Sequence, residues 1–335
     1  MHALRCEVAS LRNFTTQHSN CTPSPLLTCR KASVRTTIVR SGRNVVGFRN
    51  RNMSTVSAIP GADQGFTNPD QPARFAEQKS SNNVRALDID QVYDPSYLKG
   101  KRVLVTGANR GVGLALATEL KAVGSLVTAT VRKSSPELDA LEIHQVIEGI
   151  DVTDTNCMKK IVNEVSDPFD VVVNNAGYFY EPVEKIDSMN FEEQLKMIDI
   201  CAVGPLRITA ALVNAGLVAS DGKVAMITSQ GGSIAWRDVQ NPDGGDYGHH
   251  MSKAAANMGG KLLAQELKHK GITVTMLHPG FNKTDMTAKY AEIWEVEGAV
   301  DVSIGAKRVV HEIGRMSLAN TGTFVNCEDG MLIPW

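Results

Sequence analysis

"RVLVTGANRGVGLALATEL", residues 102–120, joins a β-rich apolar run to a helical pattern through a turn that contains Gly107, Gly111 and Gly113. The apolar run is typical of a buried strand, and the recurrence of Leu and Ala after the turn is typical of a helix. Glycines at such a turn let the backbone approach a pyrophosphate, whose charge is stabilised at the helix N-terminus. Because a glycine triplet also occurs in ordinary strand-to-helix turns, its meaning depends on the rest of the chain.

The chain after residue 100 alternates short apolar runs with helical stretches. Further buried strands are predicted at 125–131, 169–175, 222–229 and 271–280, and helices at 154–166, 188–217 and 251–270. Nearly continuous apolar strands that alternate with helices indicate a parallel sheet covered on both faces. The sequence therefore predicts one α/β domain over residues 100–335, a doubly wound Rossmann domain with a parallel sheet between two helical layers.

Composition excludes several classes of protein. Of the 335 residues, 42% are apolar and 21% are charged, which is ordinary for a globular domain and unlike a disordered or fibrous chain. No run of 18 apolar residues occurs, so no membrane span is expected. Beyond residue 62 acidic side chains outnumber basic ones, which argues against a nucleic-acid partner. The cysteines there lack CxxC spacing, so neither a disulfide framework nor a metal site is predicted.

The N-terminal region differs from the rest of the chain. Residues 1–62 contain nine Lys or Arg residues and one acidic residue, and they are rich in Ser and Thr. This composition is typical of an organelle transit peptide, with chloroplast slightly favoured over mitochondrion. The alternatives are a disordered tail, or translation that starts at Met53 and yields a cytoplasmic protein. Residues 63–99 are polar with little periodicity, and we interpret them as a linker or as an arm on the domain surface.

Further short motifs follow the predicted strands and helices in a fixed order. They are "DVTD" (151–154), "NNAG" (174–177), "ITSQGGSI" (227–234), "SKAAAN" (252–257) and "HPG" (278–280). Together with the Gly-x3-Gly-x-Gly turn, they resemble the short-chain dehydrogenase/reductase family over residues 100–335. "HPGFNKTDM" and the closing "TGTFVNCEDGMLIPW" look most like its C-factor and sniffer-type carbonyl reductases. The resemblance implies an oxidoreductase that transfers hydride between a nicotinamide cofactor and a small carbonyl compound.

The resemblance also implies which residues bind the cofactor. They are Gly107, Asn109, Arg110, Gly111, Val112 and Gly113 in the glycine turn, Asp151 and Val152 beside the adenine, Asn175, Ala176 and Gly177 under the ribose, and Lys253, Pro279 and Gly280. The second strand ends in "TATVRK", with Arg132 and Lys133 where NAD enzymes place a carboxylate. An arginine there accommodates a 2′-phosphate, so these cations, with Arg110, favour NADP(H) over NAD. The simpler interpretation of Arg132 is a solvated surface charge.

The resemblance implies a catalytic serine, tyrosine, lysine and asparagine, of which two are replaced here. Ser229 and Lys253 match, whereas His249 stands at the tyrosine position and Cys201 at the asparagine position. His249 shares a helix face with Lys253 because the two are four residues apart. With an ordinary pKa of about 6.5, an imidazole is a competent acid at neutral pH, although Lys253 would lower that pKa and favour the neutral form.

Three interpretations of this substitution stay open. His249 serves as the proton donor, or Tyr247, placed just before the helix, swings its hydroxyl into the pocket. Alternatively, the site has drifted in a protein that binds NADP(H) as a sensor or assembly partner without reducing a substrate. The spacing around His249 and His250 resembles no metal-ligand set.

The sequence gives weaker indications of the substrate pocket and of the oligomeric state. Tyr178, Phe179, Tyr180 and Trp236 are expected either to line a substrate pocket or to pack loops, and the residues between Ser229 and His249 to form a loop over the site. The helix that starts near Ser252 is rich in Ala and Gly. Small residues permit close helix contact, and the resemblance implies a homodimer through this helix.

Overall fold

The strands of the computed structural model, which describes residues 65–335, follow the apolar runs of the sequence. They are β1 (Arg102–Thr106), β2 (Leu126–Thr130), β3 (Gln145–Ile147), β4 (Phe169–Asn174), β5 (Val218–Ile227), β6 (Thr273–His278), β7 (Asn282–Lys283), β8 (Val300–Asp301) and β9 (Phe324–Asn326). The proposed transit peptide, residues 1–62, lies outside the described residues.

Eleven α-helices are assigned between residues 65 and 335. They are α1 (Gln71–Ser80), α2 (Val84–Leu87), α3 (Gly111–Ala122), α4 (Pro136–Ala140), α5 (Thr155–Glu164), α6 (Phe191–Ile198), α7 (Gly204–Asn214), α8 (Arg237–Gln240), α9 (Tyr247–Leu267), α10 (Trp294–Glu297) and α11 (Val302–Arg315). Short 3₁₀ turns occur at Ile89–Gln91, Ser96–Leu98, Gln230–Gly232, Lys268–Lys270 and Asp285–Ile293.

Seven strands form one sheet in the order β3-β2-β1-β4-β5-β6-β9, and every pair is parallel. The chain starts in the middle of this sheet, moves to one edge, returns and continues to the other edge. This is the doubly wound Rossmann arrangement, and the prediction of one such domain with a parallel sheet covered by helices on both faces is confirmed. β7 and β8 pair separately as a two-stranded sheet. The loops after β1 and β4 meet where the strand order reverses, which is where such sheets bind ligands.

The core consists of two clusters, one on each face of the sheet. Alternate residues of β1 point to opposite faces, so Val103 and Val105 join one cluster and Leu104 the other. The first cluster packs against α3 and α11, and the second packs against α5, α7 and α9. Both faces are therefore dry, which explains why the strands are apolar along their whole length.

The predicted helix at 188–217 is interrupted in the structure. A π-helical turn, Asp199–Val203, separates α6 from α7, and α7 ends before β5 begins at Val218. By length and apolar composition alone, the stretch Phe191–Asn214 could cross a membrane. It carries the connection from β4 to β5 and packs against the sheet, which is the position of a core helix in this fold.

Residues 66–98, which we call the arm, lie against the domain through α1, α2 and two 3₁₀ turns. Thr67 pairs with Leu332 through a backbone hydrogen bond of 2.9 Å, so the arm begins beside the C-terminal segment. Ile89 and Leu98 are buried, as is the charged side chain of Arg74. The polar sequence of this segment contained no sign of such burial.

Candidate active site

The glycine turn after β1 is shaped by contacts that leave no room for side chains. Gly107 has φ +65°, and a β-carbon on it would lie 2.9 Å from Ala176 Cα. A β-carbon on Gly113 would lie 2.2 Å from the Gly107 carbonyl oxygen. Gly111 has φ +54°, and the only atom within 4 Å of its β-carbon position is a methyl carbon of Thr284. The turn is thus packed on its inner side and open over Gly111, where a pyrophosphate would approach the first turn of α3.

Thr106, which the sequence analysis missed, connects this turn to the "NNAG" loop. Its hydroxyl oxygen accepts hydrogen bonds from the backbone N–H groups of Asn175 (3.0 Å) and Ala176 (2.9 Å). Asn175 Nδ2 in turn donates to the carbonyls of Thr106 (3.0 Å) and Gly107 (3.2 Å). Asn175 and Ala176 therefore lie directly beside the glycine turn, and Gly177 is exposed at the end of the same loop. The sequence signal for this role was a polar residue, Thr106, at the end of an otherwise apolar strand.

The loops after β2 and β3 contribute charge to the same edge of the sheet. Arg110 and Arg132 are exposed, and neither has a carboxylate within 4.0 Å among residues 65–335. The pKa of Asp151 is lowered, because the Thr153 backbone N–H and hydroxyl donate to its carboxylate and because Arg132 is near, while partial burial opposes this. Two exposed guanidinium groups without an ion pair among residues 65–335 are donors that suit a 2′-phosphate, although Asp151 lies near Arg132.

The remaining cofactor candidates are fixed by neighbouring segments. The carbonyl of Asn109 accepts a 2.8 Å hydrogen bond from the Ser135 hydroxyl, which joins the glycine turn to the N-terminus of α4. Val152 is buried against Gly204, and Val112 packs at the margin of the first core cluster. The first contact joins the loops after β1 and β2, and the second holds the loop after β3 against the start of α7.

At the other end of the site, the loop that begins at Ser229 lies directly on α9. Ser229 Oγ accepts a 3.0 Å hydrogen bond from Gly231 N, so its own proton stays free to be donated elsewhere. A β-carbon on Gly232 would lie 2.7 Å from the Lys253 carbonyl carbon, and one on Gly231 would lie 3.0 Å from His249 Nε2. The two glycines thus let the loop that begins at Ser229 lie against the His249 ring and against the backbone of α9 at Lys253.

The two ring nitrogens of His249 have different surroundings. Nδ1 is buried and has no hydrogen-bond partner among the described residues, whereas Nε2 lies beside Gly231. Phe179 packs edge-on against the ring with 4.9 Å between the centroids. Because a buried N–H without an acceptor is more costly than a buried lone pair, the proton belongs on Nε2.

The pKa of His249 is well below its usual value, first because of burial and then because of the charge of Lys253. The expectation that Lys253 lowers this pKa and favours the neutral imidazole is therefore confirmed in direction. Sequence spacing places Lys253 nearby but contains no information about burial of the ring, which has the larger effect. At neutral pH the ring can donate a hydrogen bond but carries no charge.

His250 has a structural role. Its Nδ1 lies 2.9 Å from the Gly231 carbonyl oxygen, which can only accept, so Nδ1 carries the proton. Nε2 then accepts from Asn241 Nδ2 at 3.1 Å. Burial, followed by the charge of Arg237, lowers the pKa of His250, which keeps it neutral at physiological pH. His250 thus fixes the loop that contains Gly231 to the first turns of α9.

Tyr247 occupies the first turn of α9 and does not lie in a loop before it. Asp246, in the left-handed conformation, precedes the helix, and the buried Glu184 accepts a 2.8 Å hydrogen bond from Gly248 N. Burial would raise the pKa of Glu184, but the backbone N–H groups of Asn190 and Gly248 outweigh it and lower that pKa. The loop movement that would bring the Tyr247 hydroxyl into the pocket therefore has no basis, because this helix start is held in place. No sequence pattern indicated the role of Glu184.

Cys201 is buried in the π-helical turn between α6 and α7. Its sulfur lies 3.4 Å from both the backbone N–H and the carbonyl oxygen of Tyr178, accepting from the first and donating to the second. The thiol therefore holds the loop after "NNAG" in place. π-Helical turns are frequent at functional sites, and this one directs residue 201 at the pocket side of the sheet.

Pro279 and Gly280 follow β6 and border the site from the C-terminal side. Gly280 has φ +85°, and a β-carbon there would lie 2.6 Å from Glu328 Cγ. His278, at the end of β6, is buried, and neither ring nitrogen has a partner in the part of the chain that the structure describes. Burial, aided by the charges of Arg74 and Lys253 and opposed by Glu328, lowers the pKa of His278 to about 4.

The aromatic residues divide between the two expected roles. Phe179 borders His249, whereas Tyr178 and Tyr180 face α6, through Lys196 and Asn190 respectively. Trp236 is only 4% exposed and belongs to the second core cluster, so it packs and does not line a pocket. Within residues 65–335, no group of three or more His, Cys, Asp or Glu side chains could hold a metal ion.

Comparisons with known proteins agree with this geometry. The short chain dehydrogenase family model matches residues 101–293. Among curated proteins, the C-signal of Myxococcus xanthus is 33% identical over 52% of this chain and 96% of its own length. Among solved structures, the NADPH-bound carbonyl reductase from chicken fatty liver has a TM-score of 0.60 and 27% identity, covering 71% of this chain and all of its own. The carbonyl reductase Sniffer of D. melanogaster has a TM-score of 0.61 and 25% identity, covering 70% of this chain and all of its own.

Proposed function

The chain belongs to the short-chain dehydrogenase family, and on that premise we propose that it reduces a small carbonyl compound with NADP(H). The observation that carries the proposal is that the loop beginning at Ser229 packs through Gly231 and Gly232 on α9, against His249 Nε2 and the backbone of Lys253. Ser229 Oγ lies 3.0 Å from Gly231 N, and His249 Nε2 lies 3.0 Å from the position of a β-carbon on Gly231, so both groups adjoin the same residue.

NADP(H) is proposed as the cofactor because of the charges around the glycine turn. Arg110 and Arg132 are exposed and unpaired among the described residues, and β2 ends without the acid that would hold a ribose 2′-hydroxyl. The carbonyl reductase from chicken fatty liver, similar in fold, is NADPH-bound. When bound, the nicotinamide would supply the hydride.

Ser229 and His249 would stabilise the charge that develops on the substrate oxygen. The Ser229 hydroxyl accepts from Gly231 N and can donate its proton to that oxygen. Neutral His249 can donate from Nε2, which makes it a hydrogen-bond donor in place of the family's tyrosine. The lowered pKa of His249 excludes an imidazolium acid at neutral pH, so the product oxygen would take its proton through these hydrogen bonds from solvent.

The test measures NADPH oxidation by the full chain with a panel of small aldehydes, ketones and quinones from pH 5.5 to 8.5. We expect turnover without an inflection near pH 6.5, because the pKa of His249 lies well below its usual value. His249→Ala should lower kcat about 100-fold, the usual cost of one oxyanion donor, and should leave the Kd for NADPH unchanged. His269→Ala, on an exposed residue just beyond α9, is the matched control.

Two outcomes would overturn parts of this proposal. A kcat that changes across pH 6.5 in the unmodified protein and not in His249→Ala would mean that His249 acts as a charged acid. If only His249→Tyr oxidises NADPH, the natural protein binds cofactor without reducing carbonyls, as a sensor or assembly partner would.

We propose further that the protein is a homodimer through α6 and α9. Exposed apolar side chains cover the outer face of these two helices: Phe191, Leu195, Met251, Met258 and Leu262. An exposed apolar face on two adjacent helices suits a second copy of the same face. Leu262→Lys should convert the dimer to a monomer in light scattering, whereas Leu318→Lys, an exposed leucine elsewhere, should not.

A further inference from the structure

Arg74 of the arm is a buried charge that reaches the catalytic loop. Its side chain is 2% exposed, and its guanidinium forms an ion pair with Glu328 at 3.1 Å. The same nitrogen, Nη2, donates a 3.0 Å hydrogen bond to Oε1 of Gln230, the residue after Ser229. Because a guanidinium presents several donors in a fixed plane, one residue holds both partners in a fixed relation.

Other contacts of the arm reach the same two segments around the site. Gln71 accepts from Gln230 Nε2 at 3.3 Å and donates to the carbonyl of Glu297 at 3.1 Å. Gln240, in the loop between Ser229 and α9, donates a 2.8 Å hydrogen bond to the carbonyl of Pro69. The arm is therefore attached to both ends of the 229–241 loop and to the segment before β8.

Glu328 extends this connection to the loop after β6. Its carboxylate accepts a 3.0 Å hydrogen bond from Phe281 N, one residue after Gly280. Burial alone would raise the pKa of Glu328, but the charge of Arg74, with smaller effects from other groups, lowers it to about 2. The carboxylate thus stays ionised, and the ion pair joins the arm to the loops on either side of the pocket.

A second arginine of the arm has similar burial but no contact with the site. Arg85, on α2, forms an ion pair with the buried Glu312 of α11 and donates to the Cys327 carbonyl at 3.3 Å. Its side chain is 12% exposed, and it touches neither Gln230 nor the loop after β6 among the described contacts. Both arginines attach the arm to the domain, but only Arg74 also contacts the loop that follows Ser229. A comparison of the two therefore distinguishes attachment of the arm from positioning of that loop.

We propose that Arg74 is a positioning residue for the reaction, which holds the 229–241 loop so that Ser229 faces His249. The predicted effect of Arg74 on kcat rests on the proposed reductase function. The predicted effect of Arg74 on the mobility of the 229–241 loop does not depend on that function. In this arrangement the segment before the Rossmann domain supports the loop that follows Ser229. Arg74→Lys keeps a cation for Glu328 but cannot hold Gln230 at the same time.

The experiment compares full-length Arg74→Lys with full-length Arg85→Lys. Arg74→Lys should lower kcat about tenfold, since small misplacements of catalytic groups have large effects, with the Kd for NADPH unchanged within about twofold. Hydrogen–deuterium exchange of residues 229–241 should become faster in Arg74→Lys and stay unchanged in Arg85→Lys. If Arg74→Lys fails to fold by circular dichroism, Gln240→Ala provides the same test through Pro69, with an expected effect on kcat of about threefold.

The outcomes separate this proposal from the proposed function. Equal effects of the two arginine variants on kcat and exchange, or no effect of Arg74→Lys on either, would overturn the positioning role. If the unmodified protein oxidises no NADPH with any substrate, the reductase function fails. Hydrogen–deuterium exchange at residues 229–241 then tests the positioning role by itself. Exchange that is faster in Arg74→Lys but not in Arg85→Lys supports the role, and equal exchange in the two variants overturns it.

Discussion

At the cofactor end of the site, the glycine turn and the "NNAG" loop are held by close backbone contacts and by the Thr106 hydroxyl. At the substrate end, side chains from distant segments hold the loop that begins at Ser229. The cofactor end carries the glycine turn and the "NNAG" loop on which the family resemblance rests. At the substrate end, His250, Arg237 and the arm hold the loop that begins at Ser229. Cofactor geometry depends on backbone shape, which tolerates little change, whereas a hydrogen bond to a substrate oxygen can come from several kinds of side chain.

The largest effect is expected from a side chain in the glycine turn. Gly113→Ala would place its β-carbon 2.2 Å from the Gly107 carbonyl oxygen, a backbone group that cannot move aside. We expect the Kd for NADPH to rise by more than about 100-fold and the free energy of unfolding to fall by about 3 kcal/mol. Gly216→Ala, at φ +70° with no atom within 4 Å, should cost about 1 kcal/mol and leave NADPH binding unchanged. Equal losses in the two variants would contradict this account.

Acid should destabilise the substrate end, where His278 is buried. Its pKa of about 4 lies below that of an unfolded histidine, so the unfolded chain takes up a proton first as the pH falls. The free energy of unfolding should therefore fall between pH 6.5 and 4, by up to about 3 kcal/mol from this residue. Urea denaturation at several pH values measures it, and His278→Gln should flatten the curve. The same flattening by His269→Gln, on an exposed residue, would show that His278 is not the cause.

A smaller effect is expected from the hydroxyl that joins the glycine turn to "NNAG". Thr106→Val would leave the N–H groups of Asn175 and Ala176 without their acceptor, at a cost of about 2 kcal/mol in unfolding free energy. NADPH affinity should weaken several-fold with it. Thr128→Val is the matched control on β2, because the buried Thr128 hydroxyl has no partner among the described residues. An equal loss of unfolding free energy in Thr128→Val and in Thr106→Val would mean that the hydrogen bonds of the Thr106 hydroxyl are not the cause.

The smallest effect is expected from returning the family's asparagine. Cys201→Asn keeps a donor and an acceptor for the Tyr178 backbone, so kcat should change by less than about threefold. Cys201→Ala, which removes both contacts, should be the less stable of the two in thermal unfolding. An increase of kcat of more than about tenfold in Cys201→Asn would instead mean that the missing residue limits the reaction, and the two ends would then differ less than we infer.

Much of the fold was predictable because its strands are buried on both faces and so are apolar throughout. The glycine turn and Lys253 were predictable because their spacing follows from a turn and a helix. The π-helical turn at Cys201 was not, because an extra residue in a helix leaves the apolar pattern nearly intact. Burial of Arg74 was not predictable either, since its partner Glu328 is 254 positions away. The pKa of His249 depends on burial, which no local spacing contains.

Gly231 determines the order in which this site can evolve. A methyl group at this position would press on His249 Nε2 at 3.0 Å and on His250 Nδ1 at 3.1 Å, and His250 is itself bonded to the Gly231 carbonyl. A substitution at 231 is therefore disfavoured while both histidines remain, because both rings would have to shift by a few tenths of an ångström. The ancestry of the site should show histidine arriving at 249 in a lineage that already had glycine at 231.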